Sequence, residues 1–333
     1  MELNNQDVNT NLANTFISYH KSFKEVLGNQ YSYQVLVETN AHEGPVYFKE
    51  SNELYFTTVP ESVNIPIEGF KNVSIKKVCL NQDNKIETVL ECSNMANGMT
   101  MDLTHHLLIC EQGTKTTKAR ISRLKTGASV PKMVVDEWFG LPFNSPNDVV
   151  VKRDDGSIWF TDPAYGYAQG FKNPPLTGNF VYRFDPNTHQ ISVVADSFKR
   201  PNGLAFSPDQ DKIYINDSGA VSGDDTPYNI NMPHHIKVYD IIDGQFLSNE
   251  RLFAVVTPGI PDGLKVDTKG RVYSSSASGI KIYSPKGILL GEILAKGVAN
   301  FCFGGPKNNI LYICIDDAIL EVQIEAVGAN DYN

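Results

Sequence analysis

Six short segments of this sequence begin with a residue bearing a side-chain oxygen and run on into an apolar stretch. They start at Glu43, Asn97, Asn147, Asn202, Asp262 and Asn300, so none of the six is Lys, Arg or apolar. Two carboxylates and four amides on one axis would suit a hard divalent cation. Ca2+ fits best, because it accepts mixed carboxylate and amide oxygens in loose geometry, with Zn2+, Mn2+ or Mg2+ as alternatives. No His or Cys stands among the six, which makes the set a poor match for structural zinc. The competing reading is local, since Asn-Gly, Asn-Asp and Asp-Gly are common turn dipeptides. Glu43 weighs against it, because Glu is a poor turn residue.

Such donors lie far apart in the chain, so a scaffold must gather them, and an internal repeat supplies one. The segment Pro201 to Ser218 reads as strand, turn and returning strand. Leu204 and Phe206 alternate as in a half-buried strand, Ser207 to Asp211 is turn chemistry, and Ile213-Tyr214-Ile215 suits a pleated surface. The pattern recurs behind every head. Twelve residues after the head stands Tyr55, Ile109, Trp159, Tyr214 or Tyr312, and the fifth copy has Tyr273 one residue early. The heads are spaced by 54, 50, 55, 60 and 38 residues, near the length of a four-stranded propeller blade. The expected fold is all-β, a six-bladed β-propeller with a short N-terminal helix. No Gly-His…Trp-Asp signature places it among WD40 scaffolds.

If each head opens the innermost strand of its blade, all six ring one mouth of the channel. The first two strands of a blade are antiparallel, so the end of the second lies at that same mouth. Asp162 and Asp217 fall there, fifteen residues after their heads, and the loops 163–179 and 219–235 border it. Ring closure would pair residues 31–37 with 318–324. The expected divisions are a tail and helix over 1–30, the propeller over 31–326 and a tail over 327–333. Phe16, Tyr19, Phe23, Val26 and Leu27 recur at helical spacing, which predicts a helix over 11–27 ended by Gly28.

The 333 residues are 41% hydrophobic and carry a net charge of -9 without a Lys/Arg cluster, which argues against a nucleic-acid partner. No apolar run reaches a membrane span, and residues 1–14 lack the apolar core of a signal peptide. A cytoplasmic protein is expected, a monomer or small homo-oligomer. The five cysteines (79, 92, 110, 302, 314) show no CxxC and form no disulfide framework. Cys110 and Cys314 lie in apolar runs, as small buried hydrophobes would.

At these positions the chain resembles the six-bladed propellers of the senescence-marker-protein, gluconolactonase and luciferin-regenerating-enzyme-like group, over about residues 40 to 316. The residues that carry the resemblance are His42-Glu43-Gly44-Pro45-Val46, Ser145-Pro146-Asn147-Asp148, Phe160-Thr161-Asp162-Pro163-Ala164-Tyr165-Gly166, Pro201-Asn202-Gly203-Leu204 and Pro261-Asp262-Gly263. The N-terminal Ser18 to Phe23 with Leu27-Gly28 is similar to fungal members. The resemblance implies lactone hydrolysis and a divalent metal, often Ca2+, held by Glu43, Asn147, Asn202 and Asp262. In some members the residue like Asn147 touches substrate or a metal-bound water. Asn97 and Asn300 fit a supporting role. Animal aldonolactonases place an Arg where this chain has Ser145, so their substrate contacts do not transfer.

On this reading Asp262 is the expected general base, with Asp217 in reserve, because a carboxylate on a cation is a weakened base. Asn147, Tyr165 and Asp162 are the expected substrate contacts, and Tyr167 shares the loop of Tyr165. His42 would orient Glu43. His234-His235 belongs to a mouth loop, and His105-His106 to a hairpin turn at the opposite edge. The expected substrate is an aldono-1,4- or 1,5-lactone in sugar catabolism. The alternatives are a phosphotriesterase or arylesterase on the same fold and a propeller without catalysis.

Overall fold

Every strand that contains or directly follows a head pairs with only one other strand, and that restriction gives the architecture. The computed structural model describes residues 15–62, 71–221 and 227–329. The first four-stranded antiparallel sheet runs outward from Ala41–Phe48 through Glu53–Thr58 and Ile75–Cys79 to Lys85–Leu90. The second begins at Ala96–Met101, the third at Val149–Val151, the fourth at Pro201–Phe206, the fifth at Leu264–Val266 and the sixth at Phe301–Gly304. These six innermost strands neighbour one another in a closed ring, so the sheets are the blades of a six-bladed propeller.

The shared aromatic position explains how blades pack. Trp159 and Tyr273 are fully buried on second strands. Trp159 meets Phe206 of the next blade edge-on at 5.7 Å, and Tyr273 meets Phe303 of its next blade at 5.2 Å. Each large ring thus fills the wedge between two blades, where apolar burial is worth most. Tyr47 and Tyr312 make the corresponding contact between blades one and six at 5.7 Å.

The ring closes as expected: Ser32–Glu38 pairs antiparallel with Ala318–Gln323 as the outermost strand of blade six. A second N-terminal strand joins a neighbouring blade. Phe16–Ser18 pairs with Leu289–Leu294 as a fifth strand of blade five. The predicted helix over 11–27 is therefore corrected. Over residues 16–27 helical structure is confined to a 3-10 turn at Lys21–Phe23 and an α-turn at Lys24–Leu27, and residues 11–14 lie outside the described residues. His20 sets the boundary, because its imidazole Nδ1 accepts from Ser22 N at 3.1 Å. Upstream, Ile17 is β-branched and the edge strand of blade five offers a ladder, so strand wins over helix. Phe23, Val26 and Leu27 are buried as the spacing predicts.

At the other end Ala329 N donates to Val266 O at 3.0 Å, so the chain after the last blade docks on blade five. Cys79, Cys110, Cys302 and Cys314 are buried free thiols and Cys92 is exposed. Among the described residues no helix is long and apolar enough to cross a membrane.

Candidate metal centre

All six heads sit at or just before the start of an innermost strand. Glu43, Asn97 and Asn202 lie within theirs, and Asn147, Asp262 and Asn300 one or two residues ahead of theirs. The glycine that follows several of them is explained by the neighbouring blade. Gly98 N donates to Asn147 O at 2.7 Å, and a Cβ on Gly98 would stand 2.4 Å from that oxygen. Gly203 N donates to Asp262 O at 3.1 Å, and a Cβ there would stand 2.2 Å from it. Neither glycine has a positive φ. The Asn-Gly pairs are therefore no turns; they are the places where one blade's head meets the next blade's backbone.

The charge of Asp262 acts on Glu43. Glu43 is 4% exposed, and its Oε2 accepts from Gly44 N at 3.1 Å and Asn300 Nδ2 at 2.8 Å. Burial raises its pKa, and the charge of Asp262 raises it further. Burial raises the pKa of Asp262 too, against the opposing charge of His42 and a hydrogen bond from Asn202. Asp262 is held at both backbone ends: its N donates to Ser275 Oγ at 2.9 Å, and its O accepts from Asn216 Nδ2 at 2.7 Å. Asn202 is buried, and its Nδ2 donates to the Tyr165 hydroxyl at 3.5 Å. Asn147 is buried, its N bonded to Thr161 O at 2.8 Å and its O to Gly98 N of the neighbouring blade. Asn97 Oδ1 is buried without a hydrogen-bond partner.

His42 pairs through Nδ1 with Asp316 Oδ1 at 2.6 Å. Burial opposes its charge, but the Asp316 hydrogen bond and the charge of Glu43 carry its pKa up to about 9. A cation is thus already recruited beside the carboxylate pair. Among the described residues no three of His, Cys, Asp and Glu gather as a metal site. The set here has another composition, two carboxylates completed by amide oxygens. The buried Glu43 carboxylate, its pKa raised further by the charge of Asp262, and the orphaned amide oxygen of Asn97 fit a hard divalent cation.

Asp162 and Asp217 do not join this group. Asp162 is wholly buried; its Oδ2 accepts from Asn144 N at 2.8 Å and its Oδ1 from Ser145 N at 2.7 Å. Burial pushes its pKa up to about 7 against those two N–H groups. Asp217 repeats the device in the next blade, with Oδ2 on Lys199 N and Oδ1 on Arg200 N, each at 2.9 Å. Each clamps the N–H groups three and two residues before its own head. Both carboxylates accept backbone N–H groups just ahead of a head, a positioning role that the expected substrate contact of Asp162 and the reserve base role of Asp217 did not include. Fifteen residues of spacing showed which edge they share but not where their oxygens point.

Tyr165, by contrast, stands at the centre. Burial raises its pKa, the Asp262 charge adds to this, and its hydroxyl therefore stays protonated. Tyr167 is half exposed and lines, with Lys172 and Leu176, a cavity of about 510 Å3 beside Asn144 and Ser145. Residues 222–226 of the other mouth loop lie outside the described residues. His234 Nδ1 bonds to Val256 O at 2.7 Å and His235 opens a strand. Asp102 caps the turn of His105-His106.

Sequence reasoning missed Asp148 and Lys265. Asp148 is 3% exposed, and its Oδ2 has no partner among the described residues. Burial raises its pKa and Lys265 opposes that rise. Lys265 Nζ donates to Asn300 Oδ1 at 3.3 Å, so Glu43, Asn300, Lys265 and Asp148 form a polar layer at the neck of the channel. The signal was present in Asn147-Asp148 and in a lysine three residues after Asp262 on an otherwise apolar strand.

Sequence comparison places these features among known proteins. The chain is 28% identical over 291 residues to the gluconolactonase of Zymomonas mobilis, covering 86% of this chain and 79% of that one. It is 27% identical over 299 residues to the lactonohydrolase oryL of Aspergillus oryzae, covering 83% of this chain and 66% of that one. A gluconolactonase structure from Xanthomonas campestris superposes with a TM-score of 0.76 at 28% identity, covering 93% of this chain and 95% of the other. Residues 41–315, which span every head from Glu43 to Asn300, match the SMP-30/Gluconolactonase/LRE-like region, and the chain belongs to that family.

Proposed function

We propose that this protein is a metal-dependent lactonase that opens an aldono-1,4- or 1,5-lactone to its aldonic acid. The observation that carries the reading is the charge of Asp262 acting on the buried Glu43 carboxylate of another blade, with Asn202 hydrogen-bonded to Asp262. The gluconolactonase and lactonohydrolase names of the relatives point to the same chemistry. Glu43, Asn147, Asn202 and Asp262 would hold the cation, Ca2+ by the chemistry of the donors. When bound, that cation supplies Lewis-acid polarisation of the lactone carbonyl.

The chain's own residues do the rest. Asp262 takes a proton from water as the water oxygen bonds to the carbonyl carbon, and returns it to the ring oxygen as the ring C–O bond breaks. Ser275 and Asn216, which hold its backbone, fix where that carboxylate stands. Tyr165 offers a neutral hydroxyl over Asn202 and closes one side of the site. The His42–Asp316 pair keeps a positive charge beside Glu43, which favours its ionised form. Both Glu43 hydrogen bonds fall on Oε2, so Oε1 is the oxygen left for a cation.

The test is a panel of aldonolactones against aryl phosphotriesters, run with EDTA and with metal restored. Lactone hydrolysis that is lost with EDTA and recovered with Ca2+ or another divalent ion is expected. Turnover of the phosphotriester alone would assign the same fold to a phosphotriesterase, and EDTA-resistant turnover would remove the metal from the reading.

A further inference from the structure

Arg200 stands two residues before Asn202, where Ser145 stands before Asn147. Its backbone N is clamped by Asp217 Oδ1 at 2.9 Å, which fixes the root of the side chain. Its guanidinium carbon lies 5.9 Å from the centroid of the Tyr165 ring, and the Tyr165 hydroxyl is the one that meets Asn202. Arg200 Nη1 donates to Lys199 O at 3.2 Å, while Nε is buried without a partner. Among the described residues no carboxylate forms an ion pair with it. A guanidinium is always charged and presents five N–H donors in a rigid fork. A fork anchored by its backbone, within cation–π reach of an aromatic ring and left with open donors is built to receive acceptors from outside the chain.

We propose that Arg200 is the specificity residue of this site, hydrogen-bonding the ring hydroxyls of a polyhydroxylated lactone. The proposal rests on the lactonase reading. Tyr165 would carry the ring face, while Arg200 reads the oxygens at its rim. A lactone without hydroxyls would leave these donors unpaired, and a site that spends buried donors on substrate oxygens discriminates strongly against the analogue that lacks them.

The experiment compares D-glucono-1,5-lactone with δ-valerolactone in the metal-loaded wild type, Arg200→Met and Arg200→Lys. Arg200→Met is expected to lower the preference for the hydroxylated lactone by about 10- to 100-fold, chiefly through KM. Arg200→Lys should recover only part of it, because an ammonium is a point charge without the fork. Equal losses on both lactones, or an unchanged preference, in whichever variant folds, would overturn the proposal. Inhibition by gluconate and by 5-hydroxyvalerate separates the remaining source of acceptors: equal weakening of both would mean that Arg200 reads the product carboxylate, against the proposal. If the wild type opens neither lactone, the lactonase reading falls. Calorimetric binding of gluconate and 5-hydroxyvalerate then decides Arg200 alone, with about tenfold weaker binding of gluconate but not of 5-hydroxyvalerate to Arg200→Met in support, and equal loss on both or no loss against.

Discussion

Asn300 Nδ2 donates to Glu43 Oε2 at 2.8 Å, although 257 positions separate the two residues. One opens the last blade and the other the first. Asn300 in turn accepts from Lys265 at Oδ1, so its amide is oriented from both ends. Removing such a support beneath a metal-binding carboxylate typically costs 10- to 100-fold in affinity. Asn300→Ala should therefore weaken Ca2+ binding, followed by calorimetric titration, by about that factor while the fold persists. Unchanged affinity would detach Asn300 from the centre.

Gly203→Ala would press a Cβ to 2.2 Å from Asp262 O, a backbone atom that cannot turn aside. Overpacking of this kind costs about 1–3 kcal/mol. We expect that loss in urea denaturation. A fall in kcat/KM should accompany it, since Asp262 must shift. A stable, fully active Gly203→Ala would show that the blades slide freely at this contact.

Asp217→Asn separates a clamp from a base. The substituted amide places an NH2 against at least one of the N–H groups of Lys199, Arg200 and Gly219 that the carboxylate now satisfies. Hydrogen bonds to a charged group contribute about 1.5–3 kcal/mol, so the Tm should drop clearly. Turnover should stay within about tenfold of wild type, far less than loss of a general base would cost. A loss of more than about a hundredfold with an unchanged Tm would return Asp217 to the reaction. Asp162→Asn is expected to behave in the same way.

Glu250 on the outermost strand of blade four governs part of the acid stability. Desolvation works to raise its pKa, but hydrogen bonds from Lys237, Ser197 and Tyr239 pull it down to about 2. Its stabilising effect is thus complete above the unfolded pKa of about 4.3 and disappears as the pH falls towards 2. The difference in urea midpoint between wild type and Glu250→Gln should be largest near neutrality and shrink over that window. A difference that grows on acidification would reverse the assignment.

The periodic part of this molecule is legible in its sequence, because a repeat writes the same physical demand several times. Tyr55, Trp159, Tyr214 and Tyr312 share an offset since each fills the wedge to a neighbouring blade. The heads are legible for the same reason. What is not repeated was not legible. Phe16 and Tyr19 fit a helical stripe as well as a strand, and only the free edge of blade five decides between them. Asp162 and Asp217 are repeated, yet spacing alone cannot say whether a carboxylate faces ligand or backbone. Arg200 and Lys265 each occur once, and a single cation in a sequence has no context until a fold surrounds it.

The seam of the ring has a consequence for the order in which the protein is made. Glu38 pairs with Ala318, 280 residues downstream. At about 5–20 residues per second, the strand Ser32–Glu38 waits roughly 15 to 60 s on the ribosome for its partner to be synthesised. Glu43 waits nearly as long for Asn300. Until then the nascent chain has an open ring and a Glu43 without its Asn300 support, so translation itself holds back the finished site until the last blade emerges.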